Sequence, residues 1–263
     1  MTDAAVRPKK PATSRRTPAG GAPTAPHTAA EASEARIDVA KVNDALMGTW
    51  AATRREARAV IKDPAFWRVD GMPMAEHRER VLAQLHALVD AGGSRRGFPE
   101  EYGGNGDNGA NLAGFMELVL ADPSLQIKSG VQWGLFGSAV YQLGTKKHHD
   151  QWLRGIMDVS IPGAFAMTET GHGSDVAAIG TTATYDPDTE EFIIHTPFRG
   201  AWKDYLGNAA LHGKAATVFA QLITGGVNYG VHCFFVPLRG DDGEFLPGVG
   251  MSEVYEPSAA TWP

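Results

Sequence analysis

Apolar residues keep a helical spacing as far as Met157 and lose it after Pro162. Before that point they recur three and four apart, the spacing that puts side chains on one helix face. Val39, Val42, Leu46 and Trp50 form one stripe, Val81, Leu82, Leu85, Leu88 and Val89 a second, and Leu112, Phe115, Met116, Val119 and Leu120 a third. Asp122 and Pro123 mark a helix start, a capping carboxylate followed by the residue that suits the first helical position. The body that follows, Leu125 to Leu143, is apolar on most sides, the pattern of a helix covered by neighbours. Gly144 ends it, and Thr145 caps the next helix, which carries Trp152, Leu153, Ile156 and Met157.

Past Pro162 short β-branched and aromatic runs take over. Thr181–Tyr185 and Phe192–His195 flank the turn formers Asp186-Pro187-Asp188-Thr189, which predicts a hairpin. Ala216–Ile223 and Val231–Val236 flank Gly225 to Gly230 and predict a second hairpin or a close pairing. Helices first and strands second specify an α+β fold, not alternating βαβ units. The expected division is a disordered tail at 1–35, a helical domain at 36–160, a small β domain at 161–250 and an atypical end at 251–263. The tail is Ala, Pro, Thr and basic residues, too poor in apolar surface to offset its ordering entropy. Its scarcity of acids also suits a transit peptide, but its prolines break the amphipathic helix such a peptide needs.

Several chemistries are excluded. The formal charge is −6, with five basic side chains against Asp3 in the first thirty residues, so the body is acidic and offers no large nucleic-acid footprint. A single cysteine, Cys233, rules out an internal disulfide or a Cys-based zinc site. No apolar run reaches the roughly 18 residues of a membrane span. Gly104-Asn105-Gly106-Asp107-Asn108-Gly109 matches G-x-G-x-x-G, but no strand precedes it and no acid follows at the right distance, so it reads as a loop. Lys146-Lys147-His148-His149 reads as a solvated helix start, since adjacent helical positions do not face one another. Asp241-Asp242-Gly243 lacks the later ligands of a calcium loop. No metal site is expected.

One stretch is dense in chemistry. From Phe165 to Asp175 a strand runs into a loop with two glycines, hydroxyls, His172 and two acids. Glycines admit close backbone approach and hydroxyls donate, so this is either a ligand loop or an ordinary polar turn.

Motifs in series add to that. "FAMTETGHGSDV", "TTATYDPDTEEFIIHTP", "KDYLGNAALHG", "VFAQLITGG" and "GVHCFFVPLR" resemble the acyl-CoA oxidase branch of the acyl-CoA dehydrogenase superfamily. "GFPEEYGGNGD", "SLQIKSGVQWGLFGSAVYQLGT" and "KKHHDQWL" resemble the helical part of the same oxidases. The resemblance implies helices, a small β-barrel-like domain, and a C-terminal helical bundle that is absent here. It implies FAD, with Thr168 bonding the flavin, Phe165 and Met167 lining the ring, and Gly207 touching the cofactor. Tyr205 stands where the family usually has Trp; it keeps a flat face for the ring, or else is a core aromatic. Ser174 matches a position near the CoA moiety. The implied reaction is α,β-dehydrogenation of a fatty acyl-CoA, with electrons passing to O2 to give hydrogen peroxide, or to an electron-transfer flavoprotein in a dehydrogenase.

The same resemblance places the glutamate base in the bundle, so no catalytic residue is assigned here; Glu169 holds a structural place in its motif. "SEVYEPSAATWP" departs from the family after "FLPGVGM", the mark expected of a truncated or frame-shifted product. Such a chain would retain FAD weakly and not dehydrogenate alone. It would then be either part of the enzyme or a non-catalytic remnant or subunit needing a separate chain. A cytoplasmic location is expected, peroxisomal in a eukaryote, with a homodimer for the full-length protein.

Overall fold

A computed structural model describes residues 37–250. The chain divides into two compact units, Met1–Leu46 and Met47–Pro263. The expected tail at 1–35 and atypical end at 251–263 lie outside the described residues. The described part of the first unit is almost all helix: α1 runs Val39–Met47, its last residue counted in the second unit, and Val39, Val42 and Leu46 on it are exposed.

The second unit begins with helices α2 (Ala51–Val60), α3 (Met74–Asp90) and α4 (Asn108–Glu117). A continuous rod follows, made of α5 (Pro123–Ser129), a π-helical stretch (Gly130–Gly137) and α6 (Ser138–Leu143), and then α7 (Lys146–Met157). The stripe on α3 behaves as its spacing predicts. Val81, Leu85 and Leu88 are buried with Leu125, Phe136, Leu153 and Ile156 in one core. Asp122 caps α5 by accepting from the Ser124 N–H at 2.8 Å, with Pro123 at the first helical position. Thr145 heads α7, its backbone N–H donating to His148 Nδ1 at 2.9 Å. His148 is thus committed to a helix start.

Besides the stripe from Val39 to Trp50, which is exposed, two stretches depart from expectation. On α4 and the turn after it, Leu112, Met116, Val119 and Leu120 are exposed. The buried face is instead Ala110, Ala113, Gly114 and Glu117. Small residues leave room for α2, and Glu117 is drawn inward by two of its arginines. Arg54 bonds one carboxylate oxygen and Arg58 Nε the other at 2.6 Å. Burial pushes the Glu117 carboxyl up, but the two guanidiniums outweigh it and hold it below its ordinary value. Removing the charge would leave two arginines facing each other. Glu117→Gln is expected to cost about 2 kcal/mol in urea unfolding, less than a fully buried pair, because both arginines reach water. The second departure is the rod, which leaves Ile127, Leu135 and Leu143 exposed. Its π stretch winds wider than the α-turn that the apolar spacing assumes, so the sealed face shifts.

The strands form one mixed sheet. They are β1 (Gly163–Ala166), β2 (Thr182–Asp186), β3 (Glu191–His195), β4 (Ala215–Thr224) and β5 (Val227–Pro237). β4 is central. Along one edge it pairs in parallel with β1 (Gly163↔Ala215) and then, further on, with β2 (Thr182↔Gln221). Along the other it pairs antiparallel with β5 (Ala215↔Pro237). β1 and β2 therefore lie end to end, and the chain between them, 167–181, buds out at their joint. Both hairpins form, β2 with β3 and β4 with β5, but the second turns tightly at Gly225-Gly226, so that Val227 to Gly230, expected in the turn, belong to β5. The α+β division holds, helices to Met157 and strands from Gly163.

Strand alternation separates two faces. Ala164, Ala166, Ala216, Val218 and Leu238 share one apolar cluster. Phe165, Phe219 and Phe235 lie on the other. There Trp152 of α7 stacks on Phe235 at 3.7 Å between centroids, and Phe136 follows at 5.9 Å. Gln132 fastens the join. Fully buried, it donates to the carbonyls of Ile156 and Ile161 at 3.0 Å each and accepts from the Gly163 N–H at 2.8 Å. All its bonds serve to seat β1 on the helices.

Candidate functional site

The joint between β1 and β2 is organised by one carboxylate. Glu169 is 2% exposed, and its oxygens accept from the Thr181 hydroxyl (2.6 Å), the N–H groups of Gly180 (2.7 Å) and Thr181 (2.9 Å), and Lys203 Nζ (3.0 Å). Burial pushes this carboxyl up, but the Thr181 hydroxyl, the two backbone N–H groups and Lys203 together outweigh it and hold it down to about 2. Lys203 in turn is lowered by its burial, against the pull of Glu169. A carboxylate so saturated cannot act as a proton acceptor near neutral pH. Glu169 is the clamp of the loop, in agreement with its structural place in the motif.

The clamp also draws in the segment 199–213. Thr170 N donates to Trp202 O at 2.9 Å, Gly171 N to Gly200 O at 2.8 Å and Asp204 N to Thr168 O at 3.1 Å. Thr168 and the stretch leading to Gly207 are therefore neighbours. The Thr168 hydroxyl is partly exposed and has no hydrogen-bond partner among the described residues.

The other candidate residues do not all share one surface. Phe165 is half-buried on the helix-facing side of the sheet, its ring 5.0 Å from that of Phe219. Met167, also half-buried, offers its carbonyl to Lys203 Nζ at 3.1 Å. Tyr205 and Gly207 instead line a cavity of about 1020 Å³ on the opposite face, walled by Ala166, Val218, Val236 and Leu238. Tyr205 is 86% exposed, so it is no core aromatic, and its backbone is left-handed at φ +58. The absent side chain at 207 has a packing reason, since a Cβ there would lie 2.9 Å from Val131 Cγ2. Ser174 is exposed on the loop and lines neither this cavity nor a smaller one of about 400 Å³ among the helices.

Sequence reasoning passed over Thr181, Lys203 and Lys128. Lys203 sits inside a motif read only for its aromatic and its glycine. Lys128 carried a signal of its own as the one charge between Leu125 and Leu143. Among the described residues no helix is long and apolar enough to cross a membrane, and no group of three His, Cys, Asp or Glu could hold a metal.

Helices that deliver a clamped strand–loop joint define the class of fold, and comparison with known proteins says which family builds it. Residues 51–160 match the model of the acyl-CoA dehydrogenase N-terminal domain. Acyl-coenzyme A oxidase 2, peroxisomal, of Arabidopsis thaliana is 46% identical over 186 residues, covering 68% of this chain and 26% of the relative. Acyl-coenzyme A oxidase 3 of Yarrowia lipolytica is 44% identical over 186 residues, covering 70% of this chain and 25% of the relative. The crystal structure of acyl-CoA oxidase 3 from Yarrowia lipolytica superposes with a TM-score of 0.70 at 35% identity, covering 84% of this chain and 31% of that one. Acyl-CoA oxidase-1 of Caenorhabditis elegans, solved in complex with FAD and ATP, superposes at 0.57 with 26% identity, covering 79% of this chain and 31% of that one. The chain belongs to the acyl-CoA oxidase and acyl-CoA dehydrogenase superfamily. It spans about a quarter of the length of the curated relatives it matches.

Proposed function

We propose that this chain serves FAD-dependent α,β-dehydrogenation of fatty acyl-CoA, of the oxidase type. The observation that carries the reading is the Thr168 hydroxyl, left without a partner among the described residues one position before the fully engaged Glu169 carboxylate. A polar group that the fold positions firmly and does not satisfy is suited to a ligand. The donor set fits the edge of a flavin: a free hydroxyl at Thr168, just past the end of β1, with the ring of Phe165 three residues back on that strand and half-buried. Bound FAD would supply the acceptor for the hydride leaving the β-carbon.

The residues of this chain bind and orient. Thr168 bonds the edge of the ring system. Phe165 and Met167 give it apolar support from the helix-facing side of the sheet. Tyr205 and Gly207 bound the neighbouring segment, Tyr205 with its face open to solvent. Ser174, exposed on the clamped loop, is placed for the polar part of the CoA moiety. Glu169 touches neither partner; it fixes the loop on which Thr168 and Ser174 stand. In this reading O2 takes the electrons and leaves as hydrogen peroxide, and in a eukaryote the setting is the peroxisome, as in the names of the plant relatives. The close alternative hands the electrons to an electron-transfer flavoprotein. The residues 161–250 form the middle domain of this plan, and a homodimer is part of the reading for a full-length enzyme.

Titration of the purified 263-residue chain with FAD, followed by flavin fluorescence, tests the proposal. Saturable binding is expected, and Thr168→Val should weaken it about 3- to 10-fold, the worth of one hydrogen bond. Absence of binding would sink the flavin reading, while unchanged affinity in Thr168→Val would remove Thr168 from it.

A further inference from the structure

Lys128 is the only charge in the apolar stretch from Leu125 to Leu143. Its ammonium group is partly buried at the rim of the 1020 Å³ cavity, not spread into water. There Nζ lies 2.5 Å from Asn208 Oδ1 and 3.0 Å from His212 Nδ1. The Asn208 amide is held in that orientation because its Nδ2 donates to Gly163 O at 2.9 Å. On the far side of the imidazole, His212 Nε2 lies 3.0 Å from Glu79 Oε1. A carboxylate only accepts, so the partner assigns the ring hydrogen to Nε2 and leaves the Nδ1 lone pair facing Lys128. The order amine, imidazole, carboxylate is that of an activated nucleophile, its base, and the group that orients the base.

We infer that Lys128 is an amine nucleophile at the mouth of this cavity, with His212 as its base and Glu79 as the positioning residue, and that it accepts an acyl group from a thioester. The choice of electrophile rests on the acyl-CoA reading given above; the nucleophile itself does not. The cavity suits such a donor. Ala166, Val218, Val236 and Leu238 give an apolar wall for the acyl chain, and the volume is at the upper end for small-molecule sites. Burial draws the Lys128 ammonium down to about 8, against the opposing pull of Glu79 and with Arg78 assisting. His212 is lowered by its burial too, which keeps it a neutral acceptor.

The step balances without an oxidant or reductant. One ammonium proton passes to His212 Nδ1 and on to solvent. The freed Nζ lone pair attacks the thioester carbonyl carbon. The N–C bond forms, the C–S bond breaks, and the sulfur leaves as a thiol with the second proton lost from nitrogen, relayed by His212. The products are an amide on Lys128 and one free thiol. A lysine that only ties the rod to the segment around Asn208 would show none of this.

The test incubates the 263-residue chain with octanoyl-CoA and, separately, with S-octanoyl-N-acetylcysteamine, which carries the thioester without the nucleotide. Thiol release and peptide mass mapping are read together. One octanoyl amide on Lys128 per thiol released is expected, at least tenfold ahead of exposed lysines such as Lys147. Lys128→Arg should abolish it, and His212→Gln should slow it on the order of 10²-fold, the worth of a positioned base. Glu79→Gln, at a more exposed position, should slow it severalfold without loss of fold, and so covers the case in which His212→Gln does not fold. Octanoyl groups scattered over exposed lysines with Lys128 bare, or wild-type rates in both His212→Gln and Glu79→Gln, would overturn the inference. Acylation of Lys128 by a chain that binds no FAD supports it and counts against the flavin reading alone. FAD binding with Lys128 inert to both thioesters does the reverse.

Discussion

Gly163→Ala is expected to lower the stability of the chain by about 3 kcal/mol or more, at the upper end for overpacking a core. A Cβ at this position would lie 2.0 Å from both Cδ1 and Cε1 of Phe136. Neither partner can give way cheaply. Phe136 is fully buried among the helices. The Gly163 backbone is held on both sides, its N–H by Gln132 and its carbonyl by Asn208. Moving β1 outward would cost those two bonds and the pairing with β4. For a chain of this size the loss should appear as a fall in melting temperature of about 6–12 °C. Phe136→Ala alone should cost about 3–5 kcal/mol through its cavity. Both changes together should cost clearly less than their sum, because the new methyl enters the space the ring leaves. Strict additivity in the double-mutant cycle would mean that the two residues do not meet.

The same contact shows what could be read from the sequence and what could not. The switch at Pro162 and the two hairpins were legible because local spacing and turn chemistry set them. The packing of Gly163 was not, since the ring it receives comes from Phe136, on a π-helical stretch that no apolar spacing announces. The inward face of α4 was hidden for a related reason. It consists of alanines, a glycine and Glu117, and the charge is explained only by Arg54 and Arg58 on α2, far away in the chain. At the site, the loop from Phe165 to Asp175 stood out by composition. Its clamp did not, because Thr181 and Lys203 reach Glu169 only once β2 and the segment around Trp202 have closed on it. The left-handed backbone of Tyr205 is likewise a product of closure: Asp204 Oδ1 accepts the Tyr205 N–H at 3.0 Å and supports a conformation that a tyrosine rarely takes.

Glu169→Gln is expected to cost about 3 kcal/mol at neutral pH, as a pKa difference of this size implies. The fold holds this carboxyl at about 2 against an ordinary 4.5, so folding favours its ionised form. Above pH 4.5 folded and unfolded chains are both ionised there, and the contribution is complete. As pH falls from 4.5 towards 2 the unfolded chain takes up the proton first, and the contribution is lost. An amide cannot replace the carboxylate. If its oxygen faces Thr181 and Lys203, its NH2 meets the Gly180 N–H, donor against donor; reversed, it faces Lys203 instead. Either way the Lys203 ammonium loses its counter-charge. Urea midpoints of wild type and Glu169→Gln should therefore differ most at pH 7, narrow below pH 4.5 and converge only towards pH 2. Using the difference cancels the other lowered carboxyls, Glu117 and Asp150, which both proteins keep. A gap that stayed constant across that range would show that the carboxylate is not what holds the loop. Hydrogen exchange locates the loss: the N–H groups of Gly180 and Thr181, both aimed at Glu169, should lose protection first, while those of β4 and β5 keep theirs. If the clamp is what presents Thr168, FAD affinity should fall in Glu169→Gln by at least as much as in Thr168→Val, although Glu169 never touches the flavin.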